Sequence, residues 1–114
     1  MPYSEKEGEC THLKPKSYRS ESQFQSELIA ELYFLFPGCI VHKQDVQTKQ
    51  GFPDLLILYK NKWALLECKK SKNAKHQPNQ DYYIDLADKM SFARFIYPEN
   101  KEEVLYDLQQ AFRS

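Results

Sequence analysis

The chain has 114 residues, of which 41% are hydrophobic and 28% charged, and its 16 basic and 16 acidic residues balance to a net charge of zero. This length fits a single domain that buries about two-thirds of its unfolded surface. The sequence has no apolar run of about 18 residues and no signal-peptide core, and its three cysteines form no CxxC pair, which argues against a membrane protein and against a disulfide framework. We therefore expect a reduced, cytoplasmic protein, in the host-cell cytoplasm if the source is a virus.

The distribution of charge is more informative than its total. One basic group lies near the N-terminus and a second follows residue 68, whereas acidic residues gather near the C-terminus. The basic positions are Lys14, Lys16, Arg19, Lys69, Lys70, Lys72 and Lys75. Local fields steer a polyanion, so this pattern is compatible with nucleic-acid binding, and it is also typical of solvated loops.

The N-terminal part predicts an arm followed by a helix. Residues 1–19 are polar and show no apolar period, which predicts an arm ahead of a single domain at 20–114. Ser20 and Gln23 fit a capping box, and the apolar positions 24, 28, 29, 32, 35 and 36 repeat with helical spacing. The helix should end at Pro37-Gly38.

An acidic residue of this helix is the first candidate for a functional site. Glu27 lies beside the apolar positions 24 and 28, and Glu31 follows four residues later. A carboxylate near a buried stripe costs free energy unless it is paired or binds a metal. The alternative is a boundary glutamate whose carboxylate stays in water.

The centre of the chain, residues 51–72, reads as a β-hairpin. The apolar runs Leu55–Tyr59 and Trp63–Leu66 flank the polar break Lys60-Asn61-Lys62. We expect Asn61 to take the positive φ of a tight turn. Apolar residues fill both parities of each run, which predicts a central sheet covered by helices on both faces.

Three charged residues, Asp54, Glu67 and Lys69, interrupt the apolar runs. If the turn is Lys60-Asn61, Asp54 lies opposite Glu67; if it is Asn61-Lys62, Asp54 lies opposite Lys69. Side chains alternate along a strand, so all three share one sheet face in either register. Facing carboxylates repel by up to about 1 kcal/mol, which suits a divalent cation better than a structural sheet. The structural alternative is a salt bridge between Lys69 and one carboxylate.

The remaining segments complete an α/β pattern. Strands are predicted at 39–46 and 92–97, and helices at 80–90, with Asn79 as its cap, and at 99–112. With the first helix and the hairpin, these segments give the order α-β-β-β-α-β-α, a central mixed sheet flanked by helices.

Pro53-Asp54 followed by Glu67-Cys68-Lys69 resembles the signature of the PD-(D/E)XK nuclease superfamily. The resemblance covers residues 20–112 and implies a restriction-endonuclease-like core. It implies phosphodiester cleavage that depends on Mg²⁺, for which Mn²⁺ substitutes, with Lys69 next to the attacking water. The implied metal ligands are Asp54, Glu67, the backbone carbonyl of Cys68, and Glu27. The sequence leaves one-metal and two-metal mechanisms open.

A second motif, Gln80-x-x-Tyr83, lies at the start of the predicted second helix, where the two side chains project from one side. It resembles the glutamine motif of the Holliday-junction-resolvase-like, VRR-NUC and RecB-like branches, as in small phage-type endonucleases. The resemblance implies that Gln80 orients the site or the phosphate, with Gln77 as a competing candidate. The structural alternative is that Gln80 is only a polar residue at the start of the helix and that Tyr83 belongs to the core. The chain lacks the Val-Arg-Arg element of the VRR-NUC branch, so the branch stays open.

The sequence thus predicts a Mg²⁺-dependent DNA endonuclease of the kind used in DNA recombination and repair. A non-catalytic nucleic-acid-binding module that kept the fold and a structural α/β protein are the alternatives. One small domain leaves no room for a sequence-reading domain, so selection should come from DNA shape, as in a Holliday junction or a flap. The expected DNA contacts are Lys70, Lys72, Lys75, Lys14, Lys16, Arg19 and Tyr83. Paired cleavage of a branched substrate needs two active sites, which predicts a homodimer.

Overall fold

Seven helices and strands follow each other in the predicted order α-β-β-β-α-β-α in the computed structural model, which describes residues 18, 20–45 and 49–114. They are α1 (Glu21–Leu35), β1 (Ile40–Lys43), β2 (Leu55–Tyr59), β3 (Lys62–Cys68), α2 (Gln80–Met90), β4 (Ala93–Ile96) and α3 (Lys101–Arg113). The predicted arm contacts Lys14, Lys16 and Arg19 lie outside the described residues. None of the helices within the described ranges is long and apolar enough to cross a membrane.

The four strands form one mixed sheet in the order β1-β2-β3-β4. The first three strands pair antiparallel, whereas β3 and β4 pair in parallel. The parallel step requires a crossover connection, which α2 provides. The α/β class and the mixed sheet predicted from the sequence are confirmed. The first strand is shorter than the predicted range 39–46.

Helices cover both faces of this sheet. On one face, α1 and α3 enclose a core in which Phe24, Leu66 and Leu108 are almost fully buried. On the other face, α2 packs Ile84 against Leu65 and its neighbours. Burying one such side chain contributes about 1.5–3 kcal/mol. Because helices cover both faces of the sheet, the side chains that point to either face of a central strand are buried and are therefore apolar. This three-layer arrangement confirms the coverage predicted from the hairpin runs.

The exposed edge of the sheet at β1 is closed by a side chain of α1. The backbone N–H of Val41 donates a hydrogen bond to the Tyr33 hydroxyl oxygen at 3.1 Å, and that hydroxyl lies 3.4 Å from the Val41 carbonyl oxygen. The outward-facing backbone groups of Val41 are therefore occupied. An edge strand blocked in this way is a poor template for pairing with another chain.

The hairpin turn selects one of the two predicted registers. Leu55 pairs with Leu66 and Tyr59 pairs with Lys62, so the turn is Lys60-Asn61 and position 54 lies opposite position 67. The expectation of a positive φ at Asn61 was wrong, because Lys60 takes it, at 57°. Both primed hairpin turns need a positive φ at their first central residue, whichever residue stands there. The Lys60 ammonium lies 5.1 Å from the Tyr59 ring centroid, a cation–π contact that supports this conformation.

The helix starts follow two different patterns. The Ser20 hydroxyl accepts a hydrogen bond from the Gln23 backbone N–H at 3.1 Å, as predicted. At α2 the predicted cap Asn79 is left-handed, with φ 73°, and its side chain makes no capping hydrogen bond. The side chain of Gln80, the first residue of the helix, instead ties the preceding loop to the helix start: its oxygen accepts a hydrogen bond from the Gln77 backbone N–H at 2.8 Å.

Candidate functional site

The candidate site lies at the end of the sheet where β2 begins and β3 ends. Antiparallel pairing brings these two strand ends together, so Asp54, immediately before β2, lies next to Glu67 and Cys68 at the end of β3. The N-terminal ends of α1 and α2 reach the same end of the sheet from opposite faces. Four elements can therefore contribute side chains to one place.

Asp54 is anchored to the neighbouring strand by a hydrogen bond. The backbone N–H of Cys68 donates to Asp54 Oδ2 at 3.1 Å, and the Asp54 carbonyl accepts a hydrogen bond from the Gln44 N–H at 2.7 Å. Burial raises the pKa of the Asp54 carboxyl, and the hydrogen bond from Cys68 and the charge of Lys69 oppose that rise. The result is a carboxylate held in place and partly desolvated.

Glu67 is the most strongly perturbed carboxylate of the site. Its side chain is almost fully buried, and Gln80 Nε2 donates a hydrogen bond to its Oε2 at 2.9 Å. Within the described part of the chain, Glu67 Oε1 is the only buried side-chain nitrogen or oxygen without a hydrogen-bond partner. Burial, followed by the charge of Asp54, raises the pKa of Glu67 to about 8. A buried carboxylate of this kind requires a proton or a cation.

Lys69 is also buried, with 5% of its surface exposed. Its ammonium lies 3.9 Å from Glu67 Oε2 and donates a hydrogen bond to the backbone carbonyl of Lys75 at 3.0 Å. Its backbone N–H extends the β3–β4 pairing by donating to the Ile96 carbonyl at 2.9 Å. The structure thus brings Glu67 and Lys69 together on one sheet face, as the alternation predicts.

The predicted glutamine contacts a site residue, whereas the predicted tyrosine packs on the segment that leads into the site. Of the two candidates, Gln80 contacts Glu67, whereas Gln77 contributes its backbone N–H to the Gln80 side chain. Tyr83 is half-buried and packs edge-to-face on Phe52, with ring centroids 5.5 Å apart. Phe52 belongs to the segment that leads into Asp54.

The acidic residue that α1 brings to the site is Glu21, which the sequence analysis missed. Partial burial and the charge of Asp54 raise the pKa of Glu21, and Lys69 lowers it. Glu21 in turn raises the pKa of Glu67. The charge of Glu21 therefore acts on Glu67, and Glu21 itself responds to the charge of Asp54.

The position predicted for this role, Glu27, is not among the charges that shift the pKa of Glu67, whereas Glu21 is. Six helical residues turn the chain by about 240°, so Glu27 lies on a different side of α1 from Glu21. The alternative Glu31 forms an ion pair with Lys101 at 2.8 Å. Glu21 is itself exposed, but it precedes the buried residues Phe24, Gln25 and Leu28 by three, four and seven positions. This is the spacing of one helix side, and it could have identified Glu21 from the sequence.

A second missed residue, Gln25, connects α1 to β3. It is a buried polar residue on an otherwise apolar helix side, and its side chain hydrogen-bonds the Cys68 thiol. Burial, above all, raises the pKa of that thiol, which keeps it protonated and unreactive. Cys68 is therefore held twice, through its backbone by Asp54 and through its side chain by Gln25.

The basic residues predicted to contact DNA surround this end of the sheet on a connecting loop. Lys70, Lys72 and Lys75 are exposed in the segment between β3 and α2. The backbone of that loop is tied down, since the Lys72 N–H donates to Glu99 Oε1 at 3.1 Å. The side chains of the three lysines are free to meet solvent or a polyanion.

The fit of a metal ion can be judged from the donor atoms. Across residues 20–45 and 49–114, no group of three or more histidine, cysteine, aspartate or glutamate residues is arranged to hold a metal ion. The pair of Asp54 and Glu67 still matches what Mg²⁺ prefers, because both offer carboxylate oxygens and Glu67 Oε1 lacks a partner. Their mutual repulsion, visible in the pKa of Glu67, would be relieved by a cation.

Comparison with known proteins gives no match: no protein-family model, no curated protein and no solved structure is significantly similar to this chain.

Proposed function

We propose that the chain is a Mg²⁺-dependent endonuclease that hydrolyses DNA phosphodiester bonds. The observation that carries the proposal is the buried Glu67 carboxylate, which faces Asp54, lacks a partner at Oε1 and has a pKa near 8. A structural site would replace such a group or pair it fully, because an unsatisfied buried acid costs free energy. Perturbed acids that converge with a buried lysine are typical of catalytic sites.

The architecture supports the same proposal. The motif residues Asp54, Glu67 and Lys69 lie on the hairpin and sheet end where the restriction-endonuclease-like core would place them. The order α-β-β-β-α-β-α and the mixed sheet are compatible with that core.

The residues that would hold Mg²⁺ are Asp54, Glu67 and the backbone carbonyl of Cys68. When bound, the ion would neutralise charge on the phosphate and lower the pKa of a coordinated water. Glu21 would add a third carboxylate at the rim of the site.

The chain's own residues have separate roles around that centre. Lys69 stabilises the negative charge that develops on the phosphate or positions the attacking water. Gln80 holds the Glu67 carboxylate in one orientation through its hydrogen bond to Oε2. The Cys68 N–H does the same for Asp54. Each carboxylate is thus oriented by a donor outside the reacting set, as is usual for metal-binding carboxylates.

The substrate follows from the surface around the site. Lys70, Lys72 and Lys75 offer point charges for phosphates, and phosphate contacts carry no base information. We therefore expect selection by DNA shape, with branched substrates such as a Holliday junction or a flap preferred over a sequence. Cleavage of two strands of one branch point requires two sites, which a homodimer supplies. The blocked β1 edge disfavours a dimer formed by strand pairing.

The decisive experiment incubates plasmid, four-way junction, flap and single-stranded DNA with the protein, with and without Mg²⁺ or Mn²⁺. Asp54→Asn and Glu67→Gln, which keep side-chain shape and remove the charge, should abolish cleavage. Asp85→Asn, an exposed site on α2, is the matched control and should cleave like wild type.

Three outcomes would contradict all or part of this proposal. Full cleavage by either site variant would exclude the nuclease assignment, and DNA binding without metal-dependent cleavage would favour the non-catalytic module. A monomer at micromolar concentration in sedimentation, with only nicked product from a four-way junction, would exclude the dimeric resolvase form and leave the nuclease assignment intact.

A further inference from the structure

The orientation of Lys69 depends on a single backbone carbonyl. Its buried ammonium donates a hydrogen bond to the Lys75 carbonyl at 3.0 Å and lies 3.9 Å from Glu67 Oε2. An ammonium has three donors on a flexible four-carbon chain, so its direction is set by the acceptors around it. The Lys75 carbonyl comes from the loop between β3 and α2, outside the sheet.

That carbonyl belongs to the peptide group between Lys75 and His76. A peptide group is planar, so the Lys75 carbonyl oxygen and the Cα of His76 move together. Lys75, His76 and Gln77 are all exposed, so this part of the loop is not held by burial in the core. The contacts of His76, together with the hydrogen bonds between Gln77 and Gln80, therefore fix the acceptor of Lys69.

The imidazole of His76 is fixed on two sides. It stacks on the Phe95 ring of β4, with centroids 4.0 Å apart and an angle of 17° between the planes. Its Nδ1 lies 2.9 Å from Asp81 Oδ1 in the first turn of α2, so an Nδ1–H donates to the carboxylate. The ring thus connects the loop to both elements that flank the site.

We propose that His76 is a positioning residue for Lys69: its ring, held by Phe95 and Asp81, sets the Lys75 carbonyl that orients the lysine ammonium. The inference rests on the proposed nuclease function for its catalytic consequence. The geometric part, the coupling of His76 to Lys69, stands on the contacts alone.

The two contacts of His76 contribute unequally. The Asp81 side chain is 72% exposed, and an ion pair or hydrogen bond at such an exposed site contributes little, because water competes for both partners. The stacked pair of His76 and Phe95 contributes more, because two aromatic rings in contact gain from their stacking as well as from the surface they bury. A flat ring that stacks on Phe95 should therefore preserve the position, even without a charge or a donor.

The kinetic test compares three variants on the same DNA substrate. His76→Ala removes both contacts, His76→Phe keeps the stacking, and His42→Ala is the matched control at an exposed histidine on the opposite sheet edge. We expect His76→Ala to lower kcat by about tenfold to a hundredfold with KM nearly unchanged, because only a positioned group is lost. His76→Phe should restore most of kcat.

A second readout does not depend on nuclease activity. The ¹⁵N-detected NMR signal of the Lys69 ammonium, assigned by its loss in Lys69→Met, reports how firmly the group is hydrogen-bonded. It should exchange faster with water in His76→Ala and remain protected in His76→Phe and His42→Ala. An unchanged Lys69 signal in His76→Ala would overturn the inference, whatever happens to kcat. A changed signal in a protein that cleaves no DNA would support the positioning of Lys69 and refute the proposed function instead.

Discussion

Gln80 and Glu67 meet through one hydrogen bond, in which Gln80 Nε2 donates to Glu67 Oε2 at 2.9 Å. The other end of the Gln80 amide accepts from the Gln77 N–H, so both ends of the amide are assigned and its orientation is fixed. Oε2 of Glu67 is thereby satisfied and Oε1 is left for a proton or a cation. The hydrogen bond thus joins the start of α2 to the end of β3 at the most perturbed carboxylate of the site.

Replacing Gln80 by alanine should weaken metal binding. The variant loses the donor that orients Glu67, and loss of such a supporting partner typically costs about 10–100-fold in metal affinity or activity. Calorimetric titration with Mn²⁺ measures the affinity directly. Gln110→Ala, at an exposed position of α3, is the control and should bind like wild type. Equal affinity in Gln80→Ala would show that Glu67 is oriented without the glutamine.

The raised pKa of Glu67 predicts how stability depends on pH in the metal-free protein. The group titrates near 8 in the folded state and near 4.5 when unfolded, so the folded state binds more protons between these values. The free energy of unfolding should therefore be highest below about pH 4.5 for this group and fall as pH rises toward about 8, by an amount on the order of a few kcal/mol. Urea unfolding from about pH 5 to about pH 9 measures it.

Glu67→Gln, which resembles the protonated acid, is the matched variant for this pH dependence. It should lose the fall in stability between about pH 5 and about pH 8. Millimolar Mn²⁺ at about pH 8 should raise the melting temperature of wild type and leave that of Glu67→Gln nearly unchanged. The same pH dependence in both proteins would assign it to other groups.

The hairpin shows which features of the site could be predicted from the sequence and which could not. Alternation of side chains predicts that Asp54, Glu67 and Lys69 share one sheet face in either register. The two registers place residues two positions apart, Glu67 or Lys69, opposite Asp54, and residues two apart on a strand point to the same face. It could not choose between Asp54–Glu67 and Asp54–Lys69, since that depends on which residues form the turn. The structure selects Lys60-Asn61 and accepts a positive φ at a lysine. The position of a residue in the turn therefore decided which residue takes the positive φ, and the preference of asparagine for that conformation did not.

The helix glutamates show why the first helix was harder to interpret. Glu27 and Glu21 are both polar residues within a turn of Phe24, and spacing alone does not tell which end of a helix reaches a strand end. That choice depends on how α1 crosses the sheet, which the Gln25–Cys68 contact and the core packing determine. A long-range contact of this kind leaves no periodic signal in the sequence.

Two alanine variants on α1 test this reassignment. Glu21→Ala removes a carboxylate whose charge raises the pKa of Glu67, so it should lower both that pKa and the affinity for Mn²⁺. Glu27→Ala changes an exposed position on another side of the helix and should leave both nearly unchanged. NMR titration of the Glu67 carboxyl and metal titration are the measurements. The opposite ranking would restore Glu27 as the helix ligand.

Gly51 predicts a stability difference between two glycine substitutions. A Cβ at Gly51 would lie 2.5 Å from the Pro78 carbonyl oxygen and 2.7 Å from the Asn79 Cβ, in the turn that leads into α2. Gly38 has a similar positive φ, 90° against 85°, but nothing lies within 4 Å of its added Cβ. Gly38→Ala should therefore cost only backbone strain, about 1 kcal/mol, while Gly51→Ala should cost more and displace Gln80. Equal losses in urea unfolding would mean that the turn before α2 yields freely.

The loop lysines predict the salt dependence of DNA binding. Each phosphate contact that is lost should reduce the slope of log K against log salt by about 0.9 for duplex DNA. The combined Lys70→Ala, Lys72→Ala and Lys75→Ala variant should therefore bind with a slope smaller by about 3, and equally so on unrelated sequences, because phosphate contacts carry no base information. Binding is measured by fluorescence anisotropy without divalent cations, so that no cleavage occurs. Lys89→Ala, exposed near the far end of α2, is the control and should keep the wild-type slope. A sequence-dependent loss would place these lysines on base edges, and an unchanged slope would move the DNA to another face of the protein.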